Sequence, residues 1–325
     1  MIQEGIGGYF EMELPDYGGF LHDDGVLLNS GRNALEYVLR SLPDINHLWI
    51  PYYTCEVILE PVRKLDIAYS FYRIDAALEI QDAIDFQAGD YLLYTNYFGI
   101  KDLYVQMLAD HYGMRLIVDN AQAWYANPIP GVSTIYSPRK YVGVPDGGIA
   151  FCRFGIDIDQ FEQDSSYDRC SHLLKRIDLG PTEGYADFKD NSRLLANQPI
   201  RRMSKLTQRL LKSIDFDRIK EKRIDNYLFL SDKLGKSNLF SVPVQTSFSC
   251  PMFYPFLTDR DDLKSSLIRN GIFVATYWPS VLSLPSDLEL EKGFTKRMLA
   301  IPCDQRYGGS ELERIIETIT DYCIC

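Results

Sequence analysis

The sequence of 325 residues lacks the features that mark several common classes of protein. No apolar run approaches the roughly 20 residues that a membrane-spanning helix needs, and the first residues lack the basic and then apolar regions of a signal peptide. No stripe of basic residues stands out, and the net charge is −11. Because binding to nucleic acid depends on basic side chains that neutralise phosphates, we expect neither a membrane nor a nucleic-acid partner.

Histidine and cysteine occur in no pattern that is typical of a metal site. The four histidines show no ligand spacing, and the seven cysteines are an odd number without a disulfide framework. Such cysteines suit a reducing compartment, so we expect a cytoplasmic protein without a metal ion. No GxGxxG sequence follows a predicted strand, which argues against a dinucleotide cofactor.

What the sequence does contain is an alternation of strand and helix signals from about residue 30 to residue 154. The predicted strands lie at 48–50, 68–74, 91–98, 115–119, 133–137 and 147–154, and the predicted helices at 31–39, 56–65 and 103–111. This alternation predicts an α/β fold, with a mostly parallel sheet and helices on both faces.

The rest of the chain has a different texture. Residues 155–200 are polar and irregular, and a helical stretch with a break near Asp215 follows at about 201–234. The last third predicts a smaller α+β unit, with strands at 252–257 and 272–276, a helix at 261–268, and a final helix that starts with the capping box Ser310-x-x-Glu313. We therefore expect a large domain at 1–215 and a small C-terminal domain at 216–325.

Two charged residues follow neighbouring strand signals. The apolar run 116–118 is followed by Asp119, and the run 133–137 leads to Lys140 and a glycine-rich turn. In open α/β sheets, ligands bind at the carboxyl ends of the strands. An acid and a lysine at two such ends are a common layout for pyridoxal phosphate (PLP), because the lysine amine bonds to the cofactor aldehyde and the acid keeps the pyridine nitrogen protonated. Each residue alone would be interpreted as a cap or a solvated surface group, and only the combination predicts PLP.

Further residues could hold the cofactor. Gly31, Arg32 and Asn33 open a predicted helix, whose free N–H groups and dipole favour an anion such as phosphate, although a plain helix cap also explains this segment. Ser137 could donate to the phosphate or make ordinary bonds at the strand edge. Gln122 could donate to the phenolic oxygen of the cofactor or face solvent.

These segments together resemble the DegT/DnrJ/EryC1/StrS family of PLP-dependent sugar aminotransferases, within fold type I, over nearly the whole chain. The segments that carry the resemblance are 29–35 (NSGRNAL), 50–54 (IPYYT), 94–99 (YTNYFG), 118–123 (VDNAQA), 137–140 (SPRK), 146–148 (DGG), 202–204 (RMS), 271–272 (GI), 277–279 (YWP) and 301–302 (IP).

The resemblance implies an activity and roles for residues. It implies a large PLP-binding domain and a smaller C-terminal domain, Lys140 and Asp119 as catalytic residues, and Gln122 beside the ring. It implies transfer of an amino group from glutamate to a nucleotide-linked keto-sugar, in the biosynthesis of surface polysaccharides or related sugars. It also implies a homodimer with shared active sites.

Two departures of the chain from the family pattern affect the cofactor site. Cys55 stands where the family often has an aromatic residue stacked on the cofactor, so we expect either that Tyr52 or Tyr53 stacks instead or that the stacking is lost. Ile200 stands where the family has an asparagine that the neighbouring subunit lends to the phosphate. We therefore expect Asn197, Arg201 or Arg32 to supply that donor.

Two alternatives stay open at this point. The first is another PLP reaction on the same scaffold, such as dehydration of the sugar. The resemblance implies that family members of that kind have histidine in place of the lysine, and here Lys140 is present. The second is a PLP-binding partner subunit without catalytic activity.

Overall fold

The computed structural model of the protein describes residues 6–243 and 248–324, with backbone only for 323 and 324. Within these residues the chain forms nine strands, which are β1 (Val26–Leu28), β2 (His47–Pro51), β3 (Ala68–Tyr72), β4 (Asp90–Thr95), β5 (Leu116–Asn120), β6 (Ser133–Tyr136), β7 (Gly148–Phe151), β8 (Tyr254–Leu257) and β9 (Met298–Ile301).

The first seven strands form one sheet in the order β1-β7-β6-β5-β4-β2-β3. The pairs among β2 to β6 are parallel, and β7 alone runs against its neighbours β1 and β6. Every residue of β4 and β5 is buried, as expected for central strands that helices cover on both faces. The predicted mostly parallel sheet is confirmed.

The described residues also form ten α-helices. They are α1 (Gly31–Ser41), α2 (Leu59–Lys64), α3 (Asp102–Tyr112), α4 (Ser171–Asp178), α5 (Tyr185–Leu194), α6 (Lys205–Lys212), α7 (Phe216–Leu234), α8 (Leu263–Arg269), α9 (Glu289–Arg297) and α10 (Gly309–Ile324). The predicted break at Asp215 is confirmed, because the Asp215 carboxylate accepts the N–H of Arg218 and so caps α7.

Alternate side chains of β4 belong to two different cores. Tyr91 and Leu93 pack with α1 and α2 on one face of the sheet. Leu92 and Tyr94 pack on the other face, with α3, α7 and the C-terminal part of the chain. Because successive side chains of a strand point to opposite faces, helices cover both sides, as the sequence predicted.

The C-terminal part contains a second sheet, in which β8 and β9 pair antiparallel. Helices α8, α9 and α10 contribute side chains to the core around it. That core is continuous with one face of the large sheet, since it contains Tyr72 of β3 as well as Phe256 of β8. The domain limits 1–215 and 216–325 remain a prediction.

Several local predictions were wrong. The region 155–200 contains α4 and α5, although both helices are short and polar. The segment 272–276 alternates between buried Ile272 and Val274 and exposed Phe273. Its pairing with other described residues is limited to one bridge, from Ala275 to Ala300. Strands β1 and β9 and helix α9 were not predicted. In α10, Glu311 rather than Glu313 accepts a cap bond, from the N–H of Gly308.

Candidate active site

The carboxyl ends of β5 and β6 bring the two predicted catalytic residues to one edge of the sheet. The strands are parallel, and Asp119 lies opposite Ile135 in the register. Strand β6 ends at Tyr136, and the chain then forms a 3₁₀ turn, Pro138–Lys140. Lys140 therefore lies just beyond the strand that neighbours Asp119.

Asp119 is a buried carboxylate, 7% exposed. Its Oδ1 accepts the N–H of Ala121 at 2.9 Å, and no ion pair is found for it within the described ranges. Burial raises the pKa of Asp119 to about 6, although the Ala121 N–H and the charge of Lys140 act in the opposite direction. A cation bound next to this carboxylate would return it to its charged form.

Lys140 is exposed, and in the described part of the chain no carboxylate pairs with it. Its Nζ lies 6.0 Å from the ring centre of Tyr277. Burial raises the pKa of the Cys55 thiol, whereas the charge of Lys140 lowers it. The charge of Lys140 thus acts on both Cys55 and Asp119, and its amine lies near the Tyr277 ring.

Tyr277 was not predicted as a site residue. It lies in the segment 277–279, which the sequence links to the family pattern, so a signal for it existed. Its ring stacks on Phe253, with 5.1 Å between the ring centres, and burial raises its pKa strongly. The C-terminal part of the chain therefore contributes one wall of the site.

The first turn of α1 lies against the turn that carries Lys140. A Cβ atom on Gly31 would lie 3.7 Å from Cβ and 3.9 Å from Oγ of Ser137. The Gly147 N–H donates to the carbonyl of Asn29 at 2.7 Å. At Gly148 a Cβ would come within 2.1 Å of the Ser30 carbonyl oxygen, so only glycine permits this approach.

Asn33 and Arg32 already have protein partners. The Asn33 side chain donates to Oδ1 of Asn29 at 2.6 Å and to the Pro199 carbonyl at 2.9 Å, which holds the preceding loop and the 197–200 segment on α1. The Arg32 Nε pairs with Glu60 at 3.1 Å. These contacts give Asn33 a structural role, and its contact with a cofactor remains a prediction.

Gln122 is buried, and its side chain supports a strained neighbour. Its Oε1 accepts the N–H of Phe98 at 3.2 Å, and its carbonyl accepts the hydroxyl of Tyr141 at 2.7 Å. Phe98 has a φ of 59°, in the left-handed region that a bulky residue rarely adopts. The side-chain amide N–H₂ of Gln122 has no acceptor among the described residues, so it can donate to a ligand.

Tyr53 and Tyr52 both have aromatic partners. The buried Tyr53 ring lies against Tyr97 and Trp278, with ring centres 5.8 and 4.7 Å away, and Tyr52 stacks on Phe71 at 4.8 Å. Stacking of either ring on a cofactor remains a prediction. Among the described residues, the buried hydroxyl of Tyr53 has no hydrogen-bond partner.

Asn197 is exposed and has a φ of 51°. Its N–H donates to Oε1 of Glu60 at 2.6 Å, and it lines an open cleft of about 690 Å³ beside Arg32. Its side chain is directed at no acceptor in the described residues. Ile200, by contrast, is buried in the core beneath α1.

The residues fit PLP. No cation of the described chain pairs with the Asp119 carboxylate, and a protonated pyridine nitrogen would supply one. No described carboxylate holds the Lys140 amine elsewhere, and the start of α1 beside Ser137 suits a phosphate. Asp119, Lys140, Gly31, Arg32 and Ser137 are the residues that would hold the group.

Two further findings concern the described residues alone. Along 6–243 and 248–324, no helix is long and apolar enough to cross a membrane. The same residues contain no group of three or more histidine, cysteine, aspartate or glutamate side chains that could hold a metal ion.

The raised pKa of Asp119 predicts a pH-dependent stability of the cofactor-free protein. The pKa of Asp119 is about 6 in the folded chain, against an ordinary value of 3.8. Between these two pH values the unfolded chain therefore binds fewer protons than the folded chain. The free energy of unfolding should therefore fall as the pH rises, by about 3 kcal/mol in total. The free energy of unfolding of Asp119→Asn should equal that of the wild type near about pH 4 and should be higher by up to about 3 kcal/mol above about pH 7.

Urea unfolding of cofactor-free protein across this range measures the difference. Asp225→Asn, on the exposed side of α7, is the matched control, and its free energy of unfolding should differ from that of the wild type by the same amount at every pH. If the difference in free energy of unfolding between Asp119→Asn and the wild type does not change with pH, the prediction is contradicted.

Comparisons with known proteins agree on the fold. No protein-family model and no curated protein matches the sequence. The structure of DesV from S. venezuelae, in complex with a ketimine intermediate, has a TM-score of 0.63 at 18% identity, over 92% of this chain and 84% of that one. A DegT/DnrJ/EryC1/StrS aminotransferase from Brucella abortus has a TM-score of 0.61 at 16% identity, covering 91% and 85%. DesI, crystallised in the presence of its TDP-sugar product, has a TM-score of 0.62 at 14% identity, covering 91% and 79%. The predicted fold class is confirmed: the chain has the fold of these sugar aminotransferases.

Proposed function

We propose that the chain is a PLP-dependent aminotransferase that moves an amino group from glutamate to a nucleotide-linked keto-sugar, for the biosynthesis of surface polysaccharides or related sugars. The observation that carries this proposal is the convergence of three features at one sheet edge. They are the buried carboxylate of Asp119, the amine of Lys140, which no described carboxylate pairs with, and the first turn of α1, which suits an anion. The sugar-nucleotide substrate is supported by the TDP-sugar product named for the similar structure of DesI.

PLP, when bound, supplies an electron sink for the carbon that loses a proton. Asp119 would be the anion that keeps a pyridine nitrogen protonated. Its burial makes this charge effective, because few water molecules screen it. The N–H of Ala121 fixes the orientation of its carboxylate.

Lys140 is suited to carry a proton. It lies on a turn rather than inside a strand, and its exposed Nζ is held by no ion pair in the described residues, so the amine is free to take up and return a proton. We assign to Nζ the removal of the proton from Cα of the donor amino acid and its later return. Tyr277 and the 3₁₀ turn limit where the amine can move.

The link between Lys140 and the cofactor can be tested directly. The protein with PLP should be yellow, and reduction with borohydride should fix the cofactor to Lys140, as mapped by mass spectrometry of peptides. Lys140→Ala should still bind PLP through α1 but form no covalent adduct. Lys236→Ala, at an exposed position after α7, should behave as the wild type, and an adduct on another lysine would overturn the assignment.

Incubation with glutamate tests the reaction class. Glutamate alone should remove the visible band of the cofactor, because the first half of an aminotransferase reaction needs no sugar. Asp119→Asn should slow this half-reaction by at least about 100-fold, the scale of one strong electrostatic contribution, while PLP remains bound. A wild-type band that glutamate leaves unchanged would favour the dehydratase-type reaction or the catalytically silent subunit.

We also infer a homodimer. Two regions expose large apolar side chains, which in a monomer are rarely grouped: the arm at 6–17, with Ile6, Tyr9, Phe10, Met12 and Tyr17, and the α4–α5 region, with Leu174, Ile177, Leu179, Tyr185 and Leu194. Two-fold dimers are the commonest soluble assembly. In the proposed dimer the segment 197–204 approaches the partner's cofactor phosphate.

Sedimentation velocity should give the mass of two chains. Ile177 is 81% exposed, so Ile177→Asp should weaken the dimer by about tenfold or more if this side chain is buried in it, since burying an unpaired charge costs at least about 1.4 kcal/mol. Met107→Asp, on α3 with 64% exposure, is the matched control. A wild-type monomer would refute the shared-site arrangement.

A further inference from the structure

Arg223 of α7 is a buried cation, 2% exposed, with which no carboxylate of the described chain forms an ion pair. Neutral acceptors satisfy its guanidinium instead. Its Nε donates to Oε1 of Gln305 at 3.0 Å, and its Nη2 donates to the Tyr141 carbonyl at 3.2 Å. Its Nη1 donates to the carbonyls of Met252 at 2.9 Å and Pro251 at 3.4 Å. Because the donors of a guanidinium form a rigid fork, these bonds fix the relative positions of the segments that supply the acceptors.

One of these acceptors belongs to the residue that follows Lys140, whereas the other three lie beyond α7. The Tyr141 carbonyl accepts a second bond, from Nε2 of Gln305 at 3.0 Å. The Arg223 guanidinium also lies 4.5 Å from the ring centre of Tyr141, which is a cation–π contact. Arg223 thus holds both the backbone and the ring of the residue next to the lysine, and it joins them to the C-terminal part of the chain.

The remaining polar groups of Tyr141 are held as well. Its N–H donates to the Pro138 carbonyl at 2.9 Å, and its hydroxyl donates to the Gln122 carbonyl at 2.7 Å. A Cβ atom on Gly99, which has a φ of 70°, would lie 2.9 Å from this hydroxyl, so the hydroxyl fits only against a glycine. Tyr141 is therefore fixed at its N–H, its carbonyl, its ring and its hydroxyl.

Lys140 has few contacts of its own by comparison. Its side chain is exposed, and its amine lies 6.0 Å from the ring centre of Tyr277. Its N–H donates to the Ser137 carbonyl at 3.3 Å. The place of the amine therefore depends on the backbone of the 3₁₀ turn, and Tyr141 is the residue that caps this turn. What fixes Tyr141 also fixes the point from which the lysine side chain starts.

We propose that Arg223 is a positioning residue for Lys140, which acts through Tyr141 and keeps the lysine amine where it can bond to the aldehyde of PLP. This inference rests on the proposed function and adds to it a residue that the sequence did not single out. The amine and the aldehyde form a C=N bond and release one water molecule. A well-placed amine has a high effective concentration towards a bound aldehyde, and this concentration falls when the amine is no longer held in place.

The test separates PLP that is attached to Lys140 from PLP that is bound without attachment. The visible spectrum at saturating PLP gives the ratio of the two forms, and borohydride reduction with peptide mass spectrometry confirms the lysine. Arg223→Met should lower this ratio by about tenfold, the effect of one lost hydrogen bond. Arg223→Lys keeps a cation beside the Tyr141 ring, so it should restore part of the ratio.

Asn226 is the matched control for a purely structural role. It is buried one turn further along α7, and its Nδ2 donates to the carbonyls of Cys303, Asp304 and Tyr307 at 3.1–3.2 Å. It thus holds the loop that contains Gln305 on α7, but it makes no hydrogen bond to Tyr141. Asn226→Ala should lower the free energy of unfolding and leave the ratio of attached to unattached PLP unchanged. An equal fall of this ratio in Asn226→Ala and Arg223→Met would show that Arg223 only supports the fold and would overturn the proposal.

A milder variant covers the case in which Arg223→Met does not fold. Gln305→Met removes the second donor to the Tyr141 carbonyl and leaves Arg223 in place. It should lower the ratio of attached to unattached PLP by about threefold, a part of the effect of one hydrogen bond. An unchanged ratio in this variant would overturn the proposal as well.

A measurement without PLP distinguishes failure of this inference from failure of the proposed function. Formaldehyde with a mild hydride reagent methylates amines of the cofactor-free protein, and mass spectrometry gives the rate at Lys140 relative to the exposed Lys236. Arg223→Met should change this relative rate by about threefold, and Asn226→Ala should not. If the rate changes in this way but the wild type forms no adduct with PLP, the positioning role is supported while the aminotransferase is refuted. If the wild type forms the adduct and Arg223→Met changes neither the rate nor the ratio, the positioning role is refuted while the aminotransferase stands.

Discussion

The close backbone contact between the start of α1 and the glycine-rich turn after Lys140 organises the site. Gly148 lies so near the Ser30 carbonyl that a side chain cannot fit there, and the Gly147 N–H bonds to Asn29. Behind this contact, the Asn29 amide donates to Asp164 at 2.9 Å, and Arg169 joins Asp164 to the fully buried Asp146. Because these bonds are buried, they hold the helix and the turn at a fixed spacing. The phosphate-binding and amine-bearing parts of the proposed site are thus parts of one rigid unit.

Much of this arrangement could be predicted from the sequence, and the reasons are local. Asp119 ends a continuous apolar run, and such runs are central strands of a parallel sheet, so its place at the carboxyl edge follows. The start of α1 at Gly31 follows from the Ser30 cap. The 272–276 segment shows the limit of the same reasoning, because its alternation of buried and exposed residues is real but pairing depends on a partner strand that is distant in the chain.

The sequence did not reveal the role of a residue that is brought to the site from a distant part of the chain. Tyr277 reaches the site through the C-terminal part of the chain. Asn33 illustrates the converse, since a residue at a phosphate-binding turn has both amide hydrogens bonded to protein acceptors. Hydrogen-bond satisfaction is a property of the folded chain, so sequence patterns constrain it weakly.

Burial raises the pKa of Asp119, which means that this carboxylate is held in an environment that disfavours its charge. A ligand with a cationic ring nitrogen beside it would relieve this imbalance. Relief of a buried charge couples binding to folding, because the ligand then stabilises the native chain alone. The pyridinium of PLP has the charge that this carboxylate would pair with, and the first turn of α1 suits the phosphate at the other end of the same ligand.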